Sequence, residues 1–189
     1  GTAPAPSGFT AGVVGQINSP FGAAIVGNAN NGGAAGAFNG GPVTITCPTA
    51  PCLFVNGTPI ADLAEDMPVA RPVSPGDVVV LTPGQGYGIA PATQAYDTQV
   101  AGIVSTTPRV RFGIGQKKAA PVAMVGVVKA KATAVNGAIK FGDLLTTSPV
   151  AGHLMRCEAA VHCVGAIVGK ALEPLRTGEQ SILVFLWRQ

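Results

Sequence analysis

Ser74-Pro75-Gly76-Asp77-Val78-Val79-Val80-Leu81 decides how this chain folds, because the stretch is written twice. It returns as Phe141-Gly142-Asp143-Leu144-Leu145-Thr146-Thr147-Ser148. In each copy a Gly-Asp pair stands ahead of an apolar, β-prone run. Glycine adopts turn dihedrals that a residue with a Cβ resists, and an aspartate side chain can hydrogen-bond the backbone beside it. Each copy is followed by a second apolar run, Val100-Ala-Gly-Ile-Val-Ser105 and Val164-Gly-Ala-Ile-Val-Gly169, matched on the shared Ile-Val. The pattern reads as a degenerate internal duplication, with two strand-turn-strand halves on one shared core.

Composition agrees with an all-β chain rich in turns. Of 189 residues, 26 are Gly and 16 are Pro, 47% are hydrophobic and only 11% are charged. Disordered chains have the opposite balance, few apolar residues and much net charge. Soluble domains ordinarily carry about 25% charged residues, so this surface is expected to be largely covered by neighbouring subunits. Net charge is +3, and the densest basic cluster is Lys117-Lys118. A phosphate-binding surface needs a stripe of Lys and Arg, often with aromatics for stacking, so nucleic acid is excluded as a partner. No apolar run has the length of a membrane span. Gly1-Thr-Ala-Pro-Ala-Pro-Ser-Gly8 reads as a mature terminus left by removal of a leader.

The four cysteines form two close pairs, Cys47/Cys52 and Cys157/Cys163. Four cysteines allow three pairings, and local pairing within each loop is the simplest. Against it stand four reduced thiols, or a metal site that recruits His153 and His162. Cys-x5-Cys is a poor zinc spacing and a second ligand pair is missing. Two local disulfides are therefore expected, no metal or other cofactor is, and an oxidising, extracytoplasmic location follows.

Three segments are expected. Residues 1–41 form an extended Gly-rich arm, in which Gly-Val-Val-Gly at 12–15 recurs as Ala-Ile-Val-Gly at 24–27. Residues 42–76 hold a hairpin around the Cys47–Cys52 loop, then Asp62-Leu-Ala-Glu65 as one helical turn and a linker broken by Pro68, Pro72 and Pro75. Asn56-Gly57-Thr58 is a tight-turn signal and also a glycosylation sequon, which makes Asn56 a candidate glycan site. Residues 77–189 form the duplicated β domain, of sandwich or barrel type. Its strands are placed near 77–82, 87–90, 99–105, 109–114, 121–132, 138–141, 144–147, 153–156, 163–171 and 180–187.

Asp62-Leu-Ala-Glu65, Pro75-Gly-Asp-Val-Val-Val-Leu81, Val100-Ala-Gly-Ile-Val-Ser105, Val122-Ala-Met-Val-Gly-Val-Val128, Asn136-Gly-Ala-Ile-Lys-Phe-Gly-Asp-Leu-Leu145 and Gly169-Lys-Ala-Leu-Glu173 form an ordered set. The set resembles the C-terminal β domain of large secreted bacterial proteins that carry Gly-Val-Tyr-Gly-type repeats upstream. It is similar, more distantly, to the autoproteolytic C-terminal chaperone domain of phage neck appendages and tail spikes. The resemblance implies an all-β extracellular protein that assembles with copies of itself.

No catalytic constellation stands out, and the expectation is a chain that is not an enzyme. Self-cleavage needs a nucleophile, a base and a scissile bond within hydrogen-bond reach. Asp62 and Glu65 fall where the phage-type domain begins, and Ser74 or Ser105 would be the nucleophile. The plainer reading makes all four turn residues. Asp77 and Asp143 occupy matching places in the duplication, so turn chemistry explains both. His153 and His162 lack an adjacent triad partner. Gly84-Gln-Gly-Tyr-Gly88 lacks the Lys-Ser/Thr of a phosphate loop and reads as a hairpin turn. Tyr87 and Trp187 are candidates to stack on sugars, though a lone Trp in a terminal strand usually belongs to a core.

The expected function is a structural subunit of an extracellular, self-assembling fibre or surface appendage. The arm would add strands to a neighbouring copy, burying Val13, Val14, Ile25 and Val26. Its partners are itself and, through a sequon or a sugar platform, glycans. The alternatives are a self-cleaving or trimerising chaperone domain of phage-appendage type, and a carbohydrate-binding module.

Overall fold

The computed structural model describes residues 62–84, 86–113 and 117–187, which belong to the compact unit Phe54–Gln189. The arm, with Val13, Val14, Ile25 and Val26, lies outside the described residues, as do the 42–60 hairpin, Cys47, Cys52 and Asn56. The strands are β1 (Asp62–Pro68), β2 (Val78–Gly84), β3 (Gly86–Pro91), β4 (Val100–Val104), β5 (Val110–Phe112), β6 (Ala119–Thr133), β7 (Leu144–Thr147), β8 (Leu154–Arg156), β9 (Ile167–Ala171) and β10 (Glu179–Leu186). One 3-10 turn, Ala160–Cys163, interrupts them. The described domain is all-β, as its composition requires.

The duplication is visible bond by bond. In the first copy Asp77 Oδ2 accepts the Ser74 N–H at 2.7 Å. In the second, Asp143 Oδ2 accepts the Lys140 N–H at 2.8 Å. Gly76 and Gly142 both take positive φ, 82° and 86°. Gly76 N–H donates to Val104 O, and Val104 N–H donates to Asp77 O; Gly142 N–H donates to Ala171 O, and Ala171 N–H donates to Asp143 O. β2 pairs with β4 through Val79↔Gly102 and then Val80↔Val100, with a register shift between. β7 pairs with β9 through Leu145↔Gly169 and Thr146↔Ile167, with the same shift. The second apolar run therefore aligns as Val100-Ala-Gly-Ile-Val104 on Ile167-Val-Gly-Lys-Ala171. This corrects the match on Ile-Val, which is three residues out of step. What repeats is the glycine at the close approach, not the branched side chains.

Each copy closes into a small barrel. The first ring runs β1, β6, β4, β2, β3, and a parallel bridge from Val69 to Ile89 joins its ends. The second runs β6, β10, β9, β7, β8, closed by the parallel pair Ala132↔Leu154. Strand β6, 15 residues long, belongs to both. Its first half lies between β1 and β4, and its second half pairs with β10. Closure matters because an open ladder of unpaired N–H and C=O groups invites uncontrolled pairing.

The two interiors correspond side chain for side chain. Val79, Ile89, Val104, Ala120 and Val122 fill the first. Leu145, Leu154, Ala171, Ile182 and Val184 hold the matching places in the second. Large and small residues trade places: Val104 with Ala120 becomes Ala171 with Ile182. Cores tolerate such exchanges when total volume is kept. Val78, Val80, Ala92, Ile103, Ala123 and Leu186 belong to the same larger cluster, which therefore takes in residues of both barrels.

β1 is the main departure from expectation. Asp62-Leu-Ala-Glu65 is extended, not a helical turn, and pairs antiparallel with β6. Asp62, Ala64 and Asp66 are its buried positions. Asp66 is held by Arg111 of β5, whose Nε and Nη2 donate to its two oxygens at 2.6 and 2.9 Å. That pairing raises the Arg111 pKa above its ordinary value, so the guanidinium stays charged. The strand expected at 138–141 reduces to one bridge, Ile139↔Leu175.

Candidate functional site

Two places in the described domain offer more than packing. The first is a pocket of about 250 Å³ at the start of β1, lined by Asp62, Ser105, Thr106, Thr107, Val127, Val128 and Lys129. Asp62 and Ser105 are both buried, and Asp62 Oδ2 has no hydrogen-bond partner. An isolated buried carboxylate is costly unless something pairs with it. Ladder register carries Ser105 onto Leu172 in the second copy, so an apolar residue stands at that matching place.

Of the four residues weighed for self-cleavage, the structure brings together only Asp62 and Ser105. Glu65 is half-buried and out of phase with Asp62 along β1. Ser74 is exposed, in the first Gly-Asp turn. Asp77 and Asp143 remain apart, each closing its own turn. Asp77 is the more deeply engaged, because its Oδ1 also accepts from Lys131 Nζ at 2.6 Å. The Asp62–Ser105 proximity was not readable in advance, since it depends on where β4 ends relative to β1.

The second place is a groove of about 250 Å³ on the seam between the barrels. Met67 of β1, Leu81 of β2, Val100, Ala101 and Gly102 of β4, and Ala123 and Met124 of β6 line one side. Ile167 and Val168 of β9, with Gly165, Leu186 and Trp187, line the other. Three matched pairs face into it: Val100 with Ile167, Ala101 with Val168, and Met124 with Leu186. The groove is thus a product of the duplication itself. Trp187 stacks on Phe185 at 5.9 Å between centroids, and Lys170 Nζ lies 5.5 Å from its ring centre. The indole is therefore engaged by the protein. Tyr87 is exposed on β3, a different strand.

Cys157 and Cys163 are joined, as expected, and clip the loop that carries the 3-10 turn. That loop presents Val161 and Val164 to solvent, about three-quarters exposed at 75% and 73%. His162 packs edge-on against Tyr96, and His153 bonds the Ala151 carbonyl through Nδ1 at 2.8 Å. Among the described residues no group of three or more His, Cys, Asp or Glu side chains forms a metal cage. No helix among them is long and apolar enough to cross a membrane.

No protein-family model, curated protein or solved structure matches this chain.

Proposed function

We propose that this chain is a structural subunit of an extracellular fibre or surface appendage, which self-assembles by adding its N-terminal segment to a neighbouring copy. The observation that carries the reading is a segregation of charge. All 12 basic and 9 acidic residues lie in 62–189, and residues 1–61 contain none. A segment without charge has little to keep it in water, and its Val-Val and Ile-Val pairs favour strand pairing. The disulfide Cys157–Cys163 suits an oxidising compartment. Exposed Phe141, Val161 and Val164 suit a surface that assembly covers. The resemblance to secreted repeat proteins points the same way.

Deletion of residues 1–41 tests the reading. The truncated chain is expected to keep its β circular-dichroism signature and to lose filaments in negative-stain images. Filaments of normal length from the truncated chain would end the proposal.

A second reading rests on the Asp62–Ser105 pocket. A buried carboxylate and a buried hydroxyl that share one pocket are the residue types an acyl-transfer nucleophile and its base would use, with Asp62 as the base for Ser105. The bond cut would lie in the segment leading into Asp62. Ser105→Ala and Asp62→Asn would then each yield a longer chain than the parent.

A further inference from the structure

We infer that the seam groove is the acceptor for the uncharged N-terminal segment of a second copy of this chain, an assignment that rests on the assembly reading above. Every residue that lines the groove is uncharged, and the indole N–H of Trp187 is the one polar side-chain group among them. No lining side chain could form an ion pair with a charge that entered it. The segment before Asp62 brings no charged side chain along its whole length, and it holds Phe9, Phe21, Phe38 and Phe54, four of the chain's 7 phenylalanines. The cavity, about 250 Å³, falls below the roughly 300–1,000 Å³ of small-molecule sites. It suits one or two large side chains projecting from an extended backbone.

The groove also offers main-chain hydrogen bonds. Ala101 and Val168 line it at the two register shifts, where each ladder skips one residue. An extended peptide seated there would bond exposed main chain while its alternate side chains enter the groove. Met67 and Met124 flank the site, and methionine adapts its shape to irregular insertions. Reach is no obstacle, because an extended chain advances about 3.3–3.6 Å per residue.

The test uses the full chain. Leu81 lines the groove yet is 42% exposed, so Leu81→Arg places a charge at the mouth while sparing the interior. It is expected to keep the parent's far-ultraviolet spectrum and to raise the critical concentration for assembly by about tenfold or more. In parallel, a benzophenone amino acid replaces Leu81, and equal amounts of light and 15N-labelled protein are assembled and irradiated. The expected cross-link joins position 81 of one isotopic form to a residue in 1–61 of the other. Normal assembly of Leu81→Arg overturns the assignment. So does a link to residues 62–187, or a link found only within one chain. A full-length Val13→Asp/Val26→Asp variant separates the two claims. If it assembles normally, the assembly reading fails. If it fails to assemble while Leu81→Arg assembles normally, only the groove is wrong. Should Leu81→Arg not fold, the cross-link decides alone.

Discussion

Gly102 and Gly169 are the same residue written twice. Each sits at a register shift, and each presses its Cα against the main chain of a neighbouring strand, β6 for Gly102 and β10 for Gly169. A Cβ on Gly102 would collide with the carbonyl oxygen of Ala123, and one on Gly169 with that of Phe185. Neither carbonyl can yield without breaking the ladder it belongs to.

Gly102→Ala and Gly169→Ala are therefore both expected to cost several kcal/mol, about 3 or more, in the range of severe overpacking and strain. Chemical denaturation of each variant checks this. Gly178→Ala, where a Cβ meets nothing within 4 Å, is the comparison and is expected to lose only about 1–2 kcal/mol from its positive φ.

The two turn aspartates should differ in worth. Asp77 is buried and holds both Ser74 N–H and Lys131 Nζ. Asp143 is half-buried, and its Oδ2 accepts the Lys140 N–H. Asp77→Ala is expected to cost about 2–4 kcal/mol, because it also strands a partly buried ammonium. Asp143→Ala is expected to cost about 1 kcal/mol, the ordinary value of one turn hydrogen bond. Equal losses in thermal melts would contradict the inequality drawn from their surroundings.

Peptide mapping without reductant should recover the Cys157–Cys163 link, and a Cys47–Cys52 link beside it. Cys157 and Cys163 are 6 residues apart, a short loop, so the Cys157→Ser/Cys163→Ser double variant should lose only about 2 kcal/mol. A link from 47 to 157 would refute local pairing.

Intact mass decides between the two functional readings. Under the assembly reading, Ser105→Ala and Asp62→Asn differ from the parent by the substitution alone. A longer product from either transfers the function to the polar pocket. The same measurement on native material addresses Asn56, since a mass equal to the bare sequence leaves no room for a glycan.

Much of the fold was legible because turn chemistry is local. Gly76-Asp77 and Gly142-Asp143 announced the duplication, and most strands lie within two residues of their expected places. The second run was misaligned because Ile103-Val104 and Ile167-Val168 look alike, whereas the repeating constraint is a collision with a distant carbonyl. β1 was missed because Asp62 and Asp66 point inward, which inverts the usual pattern of apolar-in and polar-out. Asp66 is tolerated there through Arg111, a partner 45 residues away that no local pattern discloses. The shared pocket of Asp62 and Ser105 and the seam groove are tertiary in the same sense.

Strand β6 has a mechanical consequence. One barrel's closing strand becomes the next barrel's opening strand without a linker, so the halves have no hinge between them. Pulling on β1 or on β10 loads the same continuous backbone, through ladders on opposite halves of it. Separating the barrels requires stripping β1 and β4, or β10 and β8, from a strand that both barrels hold. Extension of the described domain under load should therefore show one rupture event spanning both barrels, not a sawtooth of two.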